Sequence, residues 1–230
     1  MINTDYVGEE KLEIIVEINN ATKKYYLGDN EITALEEIFL FIAKGDFISL
    51  VGPSGCGKST LMNVIGGLDS LDEGYVKVED QDISLFDDET QAIYRRKKIG
   101  FVFQTFNLQS RLTALENVEL PLLFEKIPHK KRKEMALTAL DIVGLTERVK
   151  HKPSEMSGGQ QQRVAIARSI VNSPQILLAD EPTGNLDEES GTSVMKLLSE
   201  LNSKYGITIL MVTHNEEYTQ YAQQVLYMKD

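Results

Sequence analysis

The sequence predicts an α/β fold: a largely parallel sheet with helices on both faces, an antiparallel β annex near the amino end, and an inserted α-helical subdomain. Three observations predict it. Short runs apolar on both faces, at residues 47–51, 99–103, 176–179 and 207–212, sit between turn signals, as strands buried in a parallel sheet do. Segments at 12–18 and 75–78 alternate instead, which suits an antiparallel sheet with one solvated face. Residues from about 106 to 162 show helical spacing and no strand signal, so they form an insertion into the α/β body.

Along the chain, the strand at 12–18 is followed by the apolar strand at 47–51, which passes through a glycine-rich turn into helical residues 61–65. Strands at 75–78 and 99–103 come next. Thr113 and Glu116 fit a capping box, in which side chains satisfy the free amides of a helix start, so a helix opens there. Met135, Ala139, Leu140 and Val143 recur at helical spacing and stop at Gly144, a left-handed terminator. A further helix starts at Ser157, and strands at 176–179, 207–212 and 225–228 complete the sheet, Pro182 ending the first of these. No internal repeat, low-complexity segment or linker interrupts this order. Residues 1–230 therefore read as a single domain containing the 106–162 subdomain.

Composition narrows the function classes. The 230 residues, 42% hydrophobic, suffice for a sizeable core. A formal net charge of −11 argues against nucleic acid as a partner, because phosphate contacts need a basic face. The short basic runs at 95–98 and 130–133 read as solvated helix faces. A single cysteine, Cys56, permits no internal disulfide and fits a reducing compartment. No apolar stretch approaches the roughly 18–20 residues that span a bilayer, and residues 1–11 lack the pattern of a signal peptide. A soluble, cytoplasmic chain is expected.

The stretch "GPSGCGKST" at 52–60 matches GxxxxGK[ST] in full, with an apolar strand before it and a helix after it, the context a phosphate loop requires. Its glycines let backbone amides turn inward around phosphate oxygens, the helix start adds partial positive charge, Lys58 reaches terminal phosphates and Ser59 holds magnesium. The run Gly52, Pro53, Ser54, Gly55, Cys56, Gly57, Lys58, Ser59 and Thr60 is assigned to nucleotide binding, with Cys56 a small spacer rather than a nucleophile. In "ILLADEPTGNLD", 176–187, Asp180 and Glu181 stand at the carboxyl end of a buried strand, the edge where open α/β sheets bind ligands. Asp180 can support the magnesium shell, and Glu181 can polarise an attacking water. Gln104, after "IGFVF", can offer a carbonyl oxygen to the metal, and His214, after "ITILMVT", can hydrogen-bond a terminal phosphate.

A second glycine-rich helix start lies in "SEMSGGQQQRVAIARSI", 154–170. Ser157 and Gln160 fit a capping box for a helix whose Val164, Ala167 and Val171 face the core. A cap needs no consecutive glycines, which cost about 1 kcal/mol each in a helix, so Gly158 and Gly159 suggest a close backbone approach to a ligand. Bare amides at a helix start form an anion site. Yet one phosphate loop already holds its own triphosphate, so cap and ligand site both stand at this point.

These motifs resemble, in order and over essentially the whole chain, those of the ATPase subunits of ATP-binding-cassette transporters. The family signature LSGGQ appears as Met156, Ser157, Gly158, Gly159 and Gln160, with methionine for leucine, a near volume-conserving swap. Walker A, glutamine loop, signature, Walker B with its glutamate, "GNLD" and the switch histidine follow in family order. The resemblance implies a P-loop, RecA-like core and a homodimer in which the Walker A of one copy and the signature of the other enclose each ATP with magnesium. It implies catalytic roles for Glu181, His214 and Gln104, and a metal site of Ser59, Gln104 and Asp180, reached through water. Ser157, Gly158, Gly159 and Gln160 would act on the other copy's ATP, and Asp187 would lie at the dimer seam. Tyr25, in "NATKKYYLG", looks like the aromatic that stacks on adenine, with Tyr26 the competing choice.

The region after Gln104, "TFNLQSRLTALENVELPL", together with "GGQQQRVAIAR" and "LADEPTGNLD", is similar to the branch serving macrolide exporters and lipoprotein-release complexes. That branch implies an integral membrane permease as partner and a peripheral place on the inner face of the cell membrane. Phe106, Leu108, Leu112 and Leu115 either pack within the helical subdomain or line the groove that receives a permease helix. The alternatives are a small-solute importer or a cell-division complex. A soluble cassette ATPase would be expected to carry tandem cassettes or a long coiled-coil insertion. The chain ends at "YMKD", where relatives continue into another strand, which implies a short or trimmed tail.

Overall fold

The computed structural model describes residues 13–28 and 30–229. Leu12 of the first predicted strand, residues 1–11, in which no signal-peptide pattern is expected, and Asp230 lie outside the described residues. The described chain runs β1 (Ile14–Leu27), β2 (Asn30–Ala43), β3 (Phe47–Val51), α1 (Lys58–Ile65), β4 (Glu73–Val78), β5 (Gln81–Asp82), α2 (Asp88–Lys98), β6 (Ile99–Phe103), α3 (Ala114–Phe124) and α4 (His129–Ile142). It continues through α5 (Gly158–Ile170), β7 (Ile176–Asp180), α6 (Glu188–Tyr205), β8 (Thr208–Val212) and β9 (Gln224–Tyr227).

Two sheets result. The first is wholly parallel, in the order β6-β7-β8-β3-β9, and the second is antiparallel, β2-β1-β4-β5. Because side chains alternate across a strand, each central strand of the parallel sheet feeds two cores. Leu177, Ala179, Ile209 and Met211 join α5, α6 and the helices of the insertion. Ile176, Leu178, Leu210 and Val212 join α1 and the inner face of the antiparallel sheet, so α1 is packed between the two sheets. The phosphate-loop helix is thereby fixed from both sides.

The largest departure from expectation is the annex. A strand expected to end at residue 18 runs on to Leu27 and pairs with β2, a strand that the sequence pattern does not predict. Register shifts interrupt the pairing between Ile18 and Lys24, and Asn20 and Glu37 adopt left-handed φ of 49° and 47°. Each shift moves the apolar set to the other face, so period-two alternation is lost over the very residues where it would announce a strand.

The basic run at 95–98 also differs from a solvated face. Arg95 donates to the Gly67 carbonyl at 2.6 Å, Arg96 pairs with Glu125, and Lys98 pairs with Glu79 at 2.6 Å. Three of its four cations therefore stitch α2 to its neighbours. Between β6 and β7 lie α3, α4 and all of α5, and α5 passes through Gln162 without a break. The capping boxes at Thr113 and Ser157 form, and Gly144 has φ of 72° one residue past the Val143 cap. Among the described residues, no helix is long and apolar enough to cross a membrane.

Candidate functional site

Four stretches end at the carboxyl edge of the parallel sheet. The turn after β3 leads into α1, whose cap is Gly57 at φ 90°, with no side chain capping the helix. A Cβ at Gly57 would lie 2.1 Å from the Ala34 carbonyl oxygen of β2, so both the left-handed backbone and the close approach require glycine. The amides at the start of α1 are left to donate to an anion. Lys58 is folded over its own loop, its Nζ donating to the carbonyls of Gly52 at 2.8 Å and Pro53 at 2.6 Å, with Cys56 Sγ at 3.5 Å. Cys56 is buried, in keeping with a spacer.

Ser59 Oγ lies 3.4 Å from Asp180 Oδ2, linking phosphate loop and β7. Burial pushes the Asp180 carboxyl above its ordinary range and the Glu181 charge adds to this, while Ser59 and Lys58 oppose. Glu181 has φ of 45°, uncommon for a residue with a Cβ and a conformation that concentrates at functional sites. Its amide donates to Val212 of β8 at 2.9 Å, which brings it beside His214, whose Nδ1 is 3.0 Å from Glu181 Oε1. Gln104 donates its side-chain N–H to Asn185 Oδ1 at 3.3 Å, and Asn185 returns a bond to the Gln104 carbonyl at 3.0 Å.

Three further residues of this neighbourhood carry no role that any motif marks in the sequence. Gln162 of α5 is fully buried, and its Nε2 donates to the Phe103 carbonyl at 3.2 Å and the Pro182 carbonyl at 2.5 Å, tying the residues beside Gln104 and Glu181 together. The available signal was a polar residue four before Ile166, at core-facing spacing on a helix. Arg168 clamps the carbonyls of Asn107 at 2.6 Å and Phe106 at 3.0 Å, and burial lowers its pKa from the ordinary range. Asn185 is the third, read in the sequence only as a letter of "GNLD".

The signature start is joined to the loop after β7. A Cβ on Gly159 would meet Ser190 Cβ and Oγ at 3.0 Å, and Ser190 is held by Asp187, which accepts from its amide at 2.8 Å and its hydroxyl at 2.9 Å. These bonds hold the Asp187 carboxyl below its usual range. Gly159 thus has a reason within its own chain, close packing on α6. A Cβ on Gly158 would meet only the far end of Leu186 at 3.2 Å within 3.5 Å, a softer constraint. Tyr25 and Tyr26 point to opposite faces of β1. Tyr25 donates its hydroxyl to Asp69 Oδ2 at 2.6 Å, whereas Tyr26 is 69% exposed. Leu108 and Leu115 pack against the larger core, Phe106 and Leu112 are half-buried, and Phe124 on α3 is 71% exposed.

A strand, phosphate loop and helix, with carboxylates at the end of another strand of the same sheet, define a P-loop nucleoside triphosphatase. Comparison with known proteins is narrower. The sequence model of the family described as ABC transporter matches residues 35–184. An uncharacterized ABC transporter ATP-binding protein, MJ1508 of Methanocaldococcus jannaschii, is 48% identical over 94% of this chain and 96% of its own length. The macrolide export ATP-binding/permease protein MacB of Bdellovibrio bacteriovorus is 45% identical over 94% of this chain, which spans only 33% of that relative. Among solved structures, the dimeric post-hydrolysis state of the cassette MJ0796, also of M. jannaschii, bound to ADP and Pi, superposes with a TM-score of 0.85. It is 45% identical over 94% of both chains. The chain belongs to the ABC transporter family, as an ATP-binding and ATP-hydrolysing cassette.

Proposed function

We propose that the chain is the ATPase subunit of a transport or mechanotransmission complex of the macrolide-exporter and lipoprotein-release type. Two copies enclose ATP and magnesium, and an integral membrane permease holds them at the inner face of the cell membrane. The observation that carries this reading is the pairing of Glu181 with His214 at 3.0 Å on the edge where Ser59 meets Asp180 at 3.4 Å. Similarity to a dimeric cassette and to a fused ATP-binding/permease protein supports the assembly.

The metal reading fits the donor set. Hydroxyl, carboxylate and amide oxygens at Ser59, Asp180 and Gln104 suit a hard cation that keeps water and phosphate in its shell. Among the described residues, no cluster of three or more His, Cys, Asp or Glu side chains is placed to hold a metal. A magnesium ion held by Ser59, Asp180 and Gln104 would neutralise charge on the terminal phosphates. Glu181 orients the attacking water or takes its proton. His214, with Nδ1 turned to Glu181, leaves Nε2 to position phosphate and water. Lys58, together with the Gly158 amide of the second copy, stabilises charge that develops in the transition state, the Ser157 amide being already given to Gln160 Oε1 at 3.1 Å. Asp187 lies at the seam. ATP joins the copies, and hydrolysis with phosphate loss releases them.

The test is Glu181→Gln. ATP binding is expected to persist, turnover to fall by about a hundredfold or more, and dimer to accumulate in size-exclusion runs with ATP. Monomer alone under ATP, alongside normal turnover, would sink the assignment.

A further inference from the structure

Tyr25 belongs to the antiparallel sheet, whereas the phosphate loop belongs to the parallel one, and four contacts bridge the gap. Asp69, on the turn just after α1, accepts from the Tyr25 hydroxyl at 2.6 Å and pairs with Lys23 Nζ at 2.9 Å. Asp72 accepts from the Lys24 amide at 2.6 Å and donates its own amide to the Thr22 carbonyl at 2.9 Å. Lys23 is 8% exposed, although it carries a charge, and its ammonium stands over the Tyr25 ring, 5.3 Å from the centroid. Burial and the bond to Asp69 push the Tyr25 hydroxyl above its ordinary pKa, and Thr60, in the first turn of the helix that starts at Lys58, opposes that rise. Burial works against the Lys23 charge, but its bonds to Asp69 outweigh this and hold its pKa above the ordinary value.

We infer that Asp69, with Lys23, is a positioning residue for Tyr25: the pair fixes the ring at a set distance from the phosphate-loop helix and leaves one face for a nucleobase. The inference rests on the reading of Tyr25 as the adenine platform. An aromatic ring has two faces, and the Lys23 ammonium covers one, so the base takes the other. Without the anchor, a 38% exposed ring at a strand end samples several rotamers and must be ordered when the base arrives. Removing that ordering cost in advance strengthens binding by about two- to tenfold. Phosphates are held elsewhere, so the effect is confined to ligands that carry a base.

The test measures affinity for ATP and for inorganic tripolyphosphate, both with magnesium, by calorimetry on the wild-type chain and on Tyr25→Phe, Asp69→Ala, their double variant and Tyr25→Ala. Tyr25→Phe keeps the ring and guards against an unfolded Asp69 variant. Expected are ATP affinities about two- to tenfold weaker for Tyr25→Phe and Asp69→Ala, unchanged tripolyphosphate affinities, and a double variant no worse than Asp69→Ala. Equal losses for both ligands, additive losses in the double variant, or wild-type ATP affinity in Tyr25→Phe and Asp69→Ala would overturn the anchor. If Tyr25→Ala binds ATP as the wild type does, the platform reading itself falls and the anchor with it. If Tyr25→Ala is weakened while Asp69→Ala is not, only the anchor falls.

Discussion

Asp180 works against the stability of its own fold. Burial and the adjacent Glu181 push its carboxyl up from the ordinary 3.8. Because the folded pKa lies above the unfolded one, this group favours folding below the unfolded value, and that contribution is lost as pH rises through the folded pKa. At pH 7 the ionised carboxylate is a net cost that a bound cation relieves. Asp180→Asn is therefore expected to raise the Tm of the nucleotide-free chain at pH 7, with little effect near pH 3, and to weaken the magnesium dependence of ATP binding; thermal scans at both pH values check it. Glu181 shows the same trade in its backbone, a left-handed φ that most residues avoid. The two carboxylates are legible in the sequence because they follow an apolar strand; the burial of Asp180 and the left-handed backbone of Glu181, whose amide is held by Val212 of β8, are not.

At the scale of elements, α5 is the part that does most. It starts at the signature, and its Arg163 donates to the Val143 carbonyl of the α4 cap and to Ser193 of α6, both at 2.6 Å. Gln162 and Arg168 hold the glutamine loop. Gln162→Met keeps the volume but leaves the buried Pro182 carbonyl without its donor, at a cost of about 1–3 kcal/mol, offset in part because it also removes the buried Oε1, which has no partner. Urea titration should show that loss, and turnover should fall further than ATP affinity does, because the Gln104 and Glu181 backbones lose their common tie. Ser157→Trp removes a cap worth about 1 kcal/mol and crowds the surface offered to a second copy. It should abolish hydrolysis while isolated monomers bind ATP normally; monomer affinity as poor as that of Lys58→Ala would refute the trans role. The helices here were legible through caps and spacing, since both are local. The annex was not, because bulges in β1 and β2 erase the alternation that marks a strand.

For the whole molecule, the arrangement of strands matters more than their number. β8 separates β3 from β7, so Walker A, both carboxylates and His214 share one edge although 162 positions separate Gly52 from His214. In a homodimer of the proposed kind, each site uses the phosphate loop of one copy and the signature of the other. Mixing Lys58→Ala with Ser157→Trp should then restore part of the lost turnover, since each mixed pair holds one intact site; no recovery at concentrations where Glu181→Gln dimerises would contradict shared sites.

The sequence by itself determined the α/β class, the order of motifs and the residues at each strand end, because apolar runs, caps and glycine turns are properties of neighbouring residues. Only the tertiary structure decided that Gly159 packs closely on Ser190, that Gln162 joins two loops, and that Tyr25 rather than Tyr26 is anchored to the turn after α1. Each of these joins residues distant in the chain, and a distance between such residues is set by how sheets and helices pack, which no local pattern encodes.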